Sequence, residues 1–177
     1  MLKIKHIGKR IIIIGNSGGG KSTVSRKFGD MLGLPVTHLD YEYWNAGWVK
    51  TPTDKWEEKV RTMIAEPEWI LEGNFAGTLE LRLGRADTVI FLDYNRFFCL
   101  RGAVKRWFAN RGKTRPDMAE GCPEKIDYQF IKWILWDFPR RSRKKIVQCL
   151  AEFGGTKIIL KNRSELERLL ERQGEPT

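Results

Sequence analysis

The stretch RIIIIGNSGGGKST, residues 10–23, joins a run of isoleucines to a glycine-rich turn and a Lys-Ser pair. Its spacing fits G-x-x-x-x-G-K-[ST], with Gly15 and Gly20 as the fixed glycines. The isoleucines predict a strand buried on both faces. Apolar spacing after Lys21 predicts a helix that ends at Gly33. A strand before and a helix after are the context in which this motif binds phosphate, so a plain glycine turn is the weaker interpretation.

The residue types in this loop indicate how it would bind a nucleoside triphosphate. Glycines let backbone N–H groups surround phosphate oxygens, and the N-terminus of the next helix adds its positive dipole end. Lys21 would reach the β- and γ-phosphates, and the Ser22 hydroxyl would bind Mg²⁺. The predicted ATP-binding residues are Gly15, Asn16, Ser17, Gly18, Gly19, Gly20, Lys21, Ser22 and Thr23.

Strands alternate with helices along the rest of the chain. Further strands are predicted at residues 35–40, 68–72, 88–93 and 156–160, and helices at 56–64, 97–109 and 125–153. The last of these helices could be broken at Pro139, and Ser164 with Glu167 predicts a capping box at the start of a final helix. The alternation predicts a parallel sheet with helices on both faces, in one domain over residues 1–177.

Three of the predicted strands end in a carboxylate, at Asp40, Glu72 and Asp93. Ligands of open parallel sheets bind beyond the carboxyl ends of the strands, so we expect at least one of these acids to serve the phosphate site. Each could instead cap the turn that follows it. Ser22, Glu72 and Asp93, the last after a Walker B-like strand, are the predicted Mg²⁺ ligands. Asp40 is the predicted general base if the acceptor is a hydroxyl group.

A loop rich in Gly, Pro, Asn and Asp spans about residues 110–125, next to a basic stretch without acidic residues. This combination predicts a mobile lid whose arginines close over a transferring phosphoryl group. The candidate catalytic arginines are Arg106, Arg111, Arg115, Arg140 and Arg143, although each could equally be a solvated surface residue. The predicted acceptor region is about residues 41–66, where the aromatic side chains could stack on a base or sugar or form a small core.

The net charge of +10 indicates a polyanionic ligand: a nucleotide, a phosphorylated metabolite or nucleic acid. A solvated basic face is the alternative, and no known nucleic-acid-binding motif is visible. The chain has neither an apolar run of about 20 residues nor a signal peptide, and we therefore expect a cytoplasmic location. Three cysteines without a C-x-x-C pair predict reduced thiols.

Six segments together resemble one family: GNSGGGKS, LDYEYW, WILEGNF, TVIFLD, TRPDMAEGCPEKID and ILKNRSEL. They are similar to the adenylate-kinase-like P-loop family of FlaR-related DNA topology modulation proteins, over nearly the whole chain. The resemblance implies a P-loop nucleotide-kinase-like three-layer sandwich, with a five-stranded parallel sheet of order 2-3-1-4-5 and a lid. It further implies that residues 15–22 bind ATP, that Glu72 holds Mg²⁺ through water, and that Asn162 and Arg163 pack on adenine.

The sequence departs from nucleoside monophosphate kinases after the third predicted strand. Those enzymes carry an Asp-Gly-Phe-Pro-Arg motif whose arginine binds the acceptor's phosphate. The corresponding EGNFA at residues 72–76 has no arginine, which leaves Arg82 or Arg85 as candidates to replace it. We therefore expect a Mg²⁺-dependent kinase that transfers the γ-phosphoryl group of ATP to a small acceptor. The alternative is an ATP-regulated nucleic-acid-binding protein that influences DNA topology.

Overall fold

The computed structural model describes residues 7–174. Its strands are β1 (Arg10–Gly15), β2 (Val36–His38), β3 (Trp44–Asn45), β4 (Val49–Lys50), β5 (Trp69–Glu72), β6 (Thr88–Leu92) and β7 (Thr156–Leu160). Its α-helices are α1 (Lys21–Leu32), α2 (Leu39–Tyr43), α3 (Thr53–Ala65), α4 (Leu79–Leu83), α5 (Arg96–Ala109), α6 (Tyr128–Lys132), α7 (Arg143–Glu152) and α8 (Arg163–Gly174). A π-helix, Trp133–Ser142, connects α6 to α7, and short 3₁₀ turns lie at Ala46–Trp48 and Ala76–Thr78.

Five of these strands form one parallel sheet in the order β2-β5-β1-β6-β7. Counting only the sheet strands in chain order, this is the predicted order 2-3-1-4-5. Strands β3 and β4 form a separate antiparallel hairpin inside the predicted acceptor region. The predicted sheet and its topology are therefore confirmed.

The isoleucines of β1 explain why helices cover both faces of the sheet. All four are fully buried, and successive side chains of a strand point to opposite faces. Ile11 and Ile13 pack in a cluster with residues of α1, α5 and α8, whereas Ile12 and Ile14 pack in a second cluster with residues of α3 and α7. The glycine-rich loop that follows β1 is thus attached to a central strand of the sheet whose isoleucines are fully buried.

Three local predictions are wrong. Residues 39 and 40 do not extend the second strand but begin helix α2, so Asp40 lies in a helical first turn. The predicted long helix starts at Tyr128 and is not broken at Pro139; the chain widens there into a π-helix, which accommodates a residue without an N–H donor. The capping box at α8 uses Asn162 and Glu165, because the Glu165 amide donates to the Asn162 side chain at 2.9 Å.

Among the helices of residues 7–174, none combines the length and the apolar character that a bilayer crossing requires.

Candidate active site

The glycine-rich loop packs directly against helix α5. Gly18 and Gly20 have φ angles of 80° and 86°, a conformation that favours glycine. A Cβ atom on Gly18 would lie 2.1 Å from the carbonyl oxygen of Cys99, and one on Gly102 would lie 2.2 Å from the carbonyl oxygen of Gly18. Gly18 is thus required by both contact and backbone angle, whereas Gly20 is favoured by its backbone angle and Gly102 by contact.

Two asparagine side chains anchor the loop to other parts of the fold. Asn16 is 1% exposed; its amide donates to the carbonyl of Ile134 in the π-helix at 2.9 Å. Asn74 donates to the carbonyl oxygen of Gly15 at 2.8 Å and accepts from the Gly15 amide at 3.0 Å. The predicted ligand residue Asn16 therefore uses its side chain to hold the loop in place. The backbone N–H groups of the loop remain the phosphate-binding candidates.

Glu72 forms the centre of a polar cluster beside the loop. The strand register places Glu72 opposite His38, whose Nδ1 lies 2.8 Å from the carboxylate. The Ser22 hydroxyl donates to the same carboxylate at 3.1 Å, and Lys21 Nζ lies 3.8 Å from it. Burial opposes ionisation, but the hydrogen bond to His38 and the charge of Lys21 hold the pKa of Glu72 below its ordinary value. The structure thus brings Ser22 and an ionised Glu72 together, as the sequence predicts.

Asp93 lies in a different ion-pair cluster. Its carboxylate accepts from Nε and Nη2 of Arg143 at 2.7 and 2.8 Å and also pairs with Lys161. Burial opposes its ionisation, but these two cations lower the pKa of Asp93. Two residues that the sequence assigns to the phosphate site, Asp93 and Arg143, therefore bind each other.

The polar cluster opens into a cavity of about 570 Å³ between the glycine-rich loop and the lid. This volume lies within the roughly 300–1,000 Å³ of small-molecule sites. Lys21, Ser22, Glu72 and Asp40 line it on the loop side. The remaining wall includes the aromatic side chains of Trp44, Trp48, Phe75, Phe130 and Trp133.

Asp40 faces this cavity from α2, close to Glu72. Burial raises the pKa of Asp40, and the neighbouring charge of Glu72 raises it further, while Lys21, Arg115 and Arg106 act in the opposite direction. Two carboxylates of the same cavity thus have opposite shifts, and such a separation is typical of groups with different roles.

Two arginines line the cavity on the lid side, Arg106 from α5 and Arg115 from the lid, and both bind one buried carboxylate. Glu124, whose side chain is 3% exposed, accepts from Arg106 Nε at 3.0 Å and pairs with Arg115 Nε at 2.5 Å. Arg115 also donates to Asp117 at 2.6 Å. Burial opposes ionisation of Asp117, but the charge of Arg115 lowers the pKa of Asp117. This network holds the two guanidinium groups beside the cavity.

Contacts between the lid and the β3–β4 hairpin close the far side of the cavity. The Gly47 amide donates to the Gly121 carbonyl at 3.0 Å. The ammonium group of Lys125 lies 5.0 Å from the ring centroid of Trp48. The segment predicted as a lid and the segment predicted as the acceptor region are therefore in contact, on the side of the cavity opposite the glycine-rich loop.

Four other predicted site residues lie elsewhere. Arg111 stacks on Trp107 with its guanidinium 5.3 Å from the ring centroid, and Arg140 is exposed. Arg163 lies over Phe98 at 5.9 Å, and the Asn162 side chain caps α8. None of the four lines the cavity.

Arg82 and Arg85 do not replace the missing acceptor arginine. Arg82 is fully buried and donates to four backbone carbonyls, those of Gly73, Asn74, Phe75 and Thr78. Its burial lowers the pKa of Arg82 to about 9. Arg85 donates to the carbonyl of Ile64 at 3.3 Å.

Several residues of the site were missed by the sequence reasoning. His38 flanks the recognised Glu72 in space, but nothing in its local sequence indicates this. Asn74, Asp117 and Glu124 are different, because they lie in the segments WILEGNF and TRPDMAEGCPEKID that carry the resemblance. The acidic residues of this otherwise basic lid were a usable signal for buried arginine partners.

The sheet order and the glycine-rich loop define a protein of the P-loop kinase fold. Similar solved structures are shikimate kinase from Acinetobacter baumannii in complex with shikimate, shikimate kinase from Bacteroides thetaiotaomicron, and deoxyadenosine kinase from M. mycoides with bound dATP. Their TM-scores are 0.56, 0.52 and 0.53, at 15%, 18% and 13% sequence identity. The alignments cover 93%, 93% and 95% of this chain and 89%, 95% and 100% of the others.

At these identities the similarity establishes the fold. The sequence matches no protein-family model and no curated protein. The kinase-fold part of the resemblance is thus confirmed, whereas these comparisons do not show a link to DNA topology.

Proposed function

We propose that this protein is an ATP-dependent small-molecule kinase. The observation that carries the proposal is one cavity in which Lys21, Ser22 and Glu72 face Asp40, with Arg106 and Arg115 on the lid side. Simple hydrolysis requires room for a water molecule only. A cavity of about 570 Å³ with an aromatic wall also has room for part of a second molecule.

The donor half of the cavity would bind the phosphates of ATP. The backbone N–H groups of residues 15–20 and the N-terminus of α1 supply donors, and Lys21 supplies a positive charge. Thr23, in the first turn of α1, is the proposed α-phosphate contact. We retain Arg163, which lies over Phe98, as the proposed adenine contact. Asn162 would act there through its cap on α8.

Ser22 and Glu72 fit a magnesium ion. Their oxygen atoms lie 3.1 Å apart beside the loop, Glu72 is ionised, and oxygen ligands are those that Mg²⁺ prefers. When bound, the ion would neutralise charge on the β- and γ-phosphates. We leave Asp93 out of this set, because Arg143 and Lys161 already bind its carboxylate.

Asp40 is the proposed general base. It would accept the proton of an acceptor hydroxyl while that oxygen attacks the γ-phosphorus. The bond from the γ-phosphorus to the β,γ-bridging oxygen breaks, and ADP leaves with that electron pair. The raised pKa of Asp40 brings its basicity closer to neutral pH, which favours proton transfer.

Arg106 and Arg115 would stabilise the negative charge of the transferring phosphoryl group. Their pairing with Glu124 fixes both guanidinium groups before the reaction, and preorganised charge requires little rearrangement during the chemical step. For Arg111, Arg140 and Arg143, which do not line the cavity, we propose roles outside the chemical step.

The test is ADP release in the presence of Mg²⁺, ATP and a panel of acceptors that includes deoxynucleosides and shikimate. We expect at least one acceptor to raise ADP release well above the solvent background, and Lys21→Ala to abolish the rise. ADP release that no acceptor stimulates would contradict the proposal.

The second candidate is ATP-regulated binding of nucleic acid, and its support is the net charge of +10 with exposed arginines such as Arg111 and Arg140. Such binding should weaken steeply with salt through counterion release. Duplex affinity that persists at moderate salt and changes with ATP would favour this candidate over the kinase.

A further inference from the structure

The turn after β5 is built around Arg82. Its guanidinium donates to the carbonyls of three successive residues, Gly73, Asn74 and Phe75, at 3.1, 2.5 and 3.1 Å. Phe75 has a φ angle of 34°, in the left-handed region that a bulky side chain rarely adopts. The hydrogen bonds from Arg82 stabilise this backbone, which directs the Phe75 ring into the cavity wall. In the acceptor half, Arg82 is therefore part of the wall and not a ligand-binding group.

The remaining cations of the cavity, apart from Lys50, are paired or already assigned to the phosphates of ATP. Arg106 and Arg115 share Glu124, and the proposed function directs both to the transferring phosphoryl group. The Nζ atom of Lys125 lies 3.9 Å from Oδ2 of Asp127 and also lies over the ring of Trp48. Lys21 belongs to the donor half, where it would bind the phosphates of ATP. Lys50 lines the cavity from an exposed position on the β3–β4 hairpin.

Apart from the exposed Lys50, the acceptor half thus presents a carboxylate and aromatic rings. Asp40 can accept hydrogen bonds from hydroxyl groups, and both Asp40 and Glu72 repel a second phosphate. Trp44 and Trp48 pack edge to face, with their ring centroids 5.5 Å apart, beside Phe75. Such a wall suits a planar or apolar ring face with polar groups at its edge.

We propose that the phosphoryl acceptor is an uncharged alcohol with a planar or apolar ring face, and that alcohols already carrying a phosphate are disfavoured. This inference rests on the proposed kinase function and specifies its substrate class. The step forms a phosphate monoester from the alcohol, breaks the γ-phosphorus bond of ATP and releases ADP and one proton.

The test compares matched pairs in which one member carries an additional phosphate. Suitable pairs are thymidine with its 5′-monophosphate, adenosine with AMP, and glucose with glucose 6-phosphate. Binding is measured by the change in tryptophan fluorescence with Mg²⁺ and the β,γ-imido analogue of ATP present, because two tryptophans line the acceptor half. ADP release with ATP is measured in parallel.

We expect the neutral member of at least one ring-bearing pair to bind at least tenfold more tightly than its phosphorylated partner. Tighter binding of the phosphorylated members would overturn the inference, and so would the absence of binding by every compound. Neutral members that bind while ADP release stays at background would contradict the kinase function and leave the binding specificity standing.

Variants test whether Arg82 supports the backbone of the cavity wall or binds a phosphate of the acceptor. Arg82→Met should weaken the binding of both members of a pair to the same extent and leave the KM for ATP near the wild-type value. If the variant loses binding of the phosphorylated member only, Arg82 binds phosphate and the inference is overturned. Should Arg82→Met fail to fold, Lys50→Ala gives an independent test, since loss of monophosphate binding in that variant would identify an acceptor-phosphate site. Arg85→Gln, at an exposed position, is the matched control, and we expect it to leave the preference unchanged.

Discussion

The two halves of the cavity use positive charge in opposite ways. In the donor half, Lys21 and Ser22 lie beside an ionised Glu72, with backbone N–H groups of the glycine-rich loop around them. In the acceptor half, Arg82 binds backbone carbonyls. Arg106 from α5 and Arg115 from the lid both bind Glu124. We therefore propose that the cavity binds the phosphates of ATP in its donor half and disfavours a second phosphate in its acceptor half.

The two carboxylates of the cavity, Glu72 and Asp40, also differ, because their pKa values are shifted in opposite directions. Glu72 contacts His38, Ser22 and Lys21 and has a lowered pKa, whereas the pKa of Asp40 is raised by its burial and by Glu72. An acid stabilised as the anion suits a metal ion, while one with raised basicity suits proton transfer. The comparison supports the role proposed for Glu72 in the donor half and the role proposed for Asp40 as the base in the acceptor half.

Lys21→Ala removes the charge that the donor half offers to ATP, and we expect the largest effect from it. The kcat/KM for ATP should fall by about 10³-fold, in the range for losing one preorganised charged donor. Steady-state ADP release measures it. Lys27→Ala, at an exposed position on the same helix, is the control. An equal loss of kcat/KM in both variants would contradict a specific role of Lys21 in binding ATP in the donor half.

Arg82→Met leaves four backbone carbonyls of the turn without their donor, so it tests whether the acceptor wall depends on this side chain. We expect a loss of about 3 kcal/mol in the free energy of unfolding, as for other breaks in buried hydrogen-bond networks. Urea unfolding gives the value. Arg85→Met should cost about 1 kcal/mol or less because it loses one hydrogen bond. Equal costs for both variants would argue against the structural role.

Asp40→Asn keeps the shape of the side chain and removes its basicity. We expect kcat to fall by about 10²-fold, with little change in the KM for ATP, since general base catalysis contributes at least that much. Pre-steady-state phosphoryl transfer separates the chemical step from product release. A kcat within twofold of wild type would exclude Asp40 as the base.

The contributions of Asp40 and Glu72 to stability should depend on pH in opposite directions. Folding raises the pKa of Asp40 above its ordinary value of 3.8. Wild type therefore loses stability as the pH rises from 3.8 through the raised pKa. Asp40→Asn avoids this loss and should be more stable than wild type at pH 7. The pKa of Glu72 is lowered from 4.5, so its contribution is present above 4.5 and is lost as the pH falls through the lowered value.

Glu72→Gln should therefore be less stable than wild type at pH 7. Both differences should disappear in acid, where wild-type carboxylates are protonated. Melting temperatures of the three proteins from pH 3 to pH 8 provide the measurement. A shift of the same sign for both variants at pH 7 would contradict the assignment.

The sheet was predictable from the sequence because its strands are short apolar runs followed by turns or helices. The isoleucines of β1 and the run TVIFL of β6 have the pattern that a strand buried on both faces requires. The loop GNSGGGKS follows a recognisable spacing with a local physical cause. Both features depend on residues that are adjacent in the chain.

The candidate site was less predictable because its partners are distant in sequence. Asp93 resembles a metal ligand until Arg143 and Lys161, 50 and 68 residues away, are seen to bind it. Glu124 becomes the partner of Arg106 only once the lid has folded back over α5. Burial of Arg82 depends on the turn that it supports, and no periodicity indicates such a contact.

The most direct test of the kinase function follows the γ-phosphoryl group itself. Wild type and Lys21→Ala are incubated with Mg²⁺ and ATP labelled on the γ-phosphate, together with the neutral alcohol that binds most tightly in the paired comparison. We predict a labelled phosphate monoester of that alcohol from wild type, and at most a trace from Lys21→Ala. Label recovered only as inorganic phosphate, or equal transfer by the two proteins, would contradict the function proposed for this cavity.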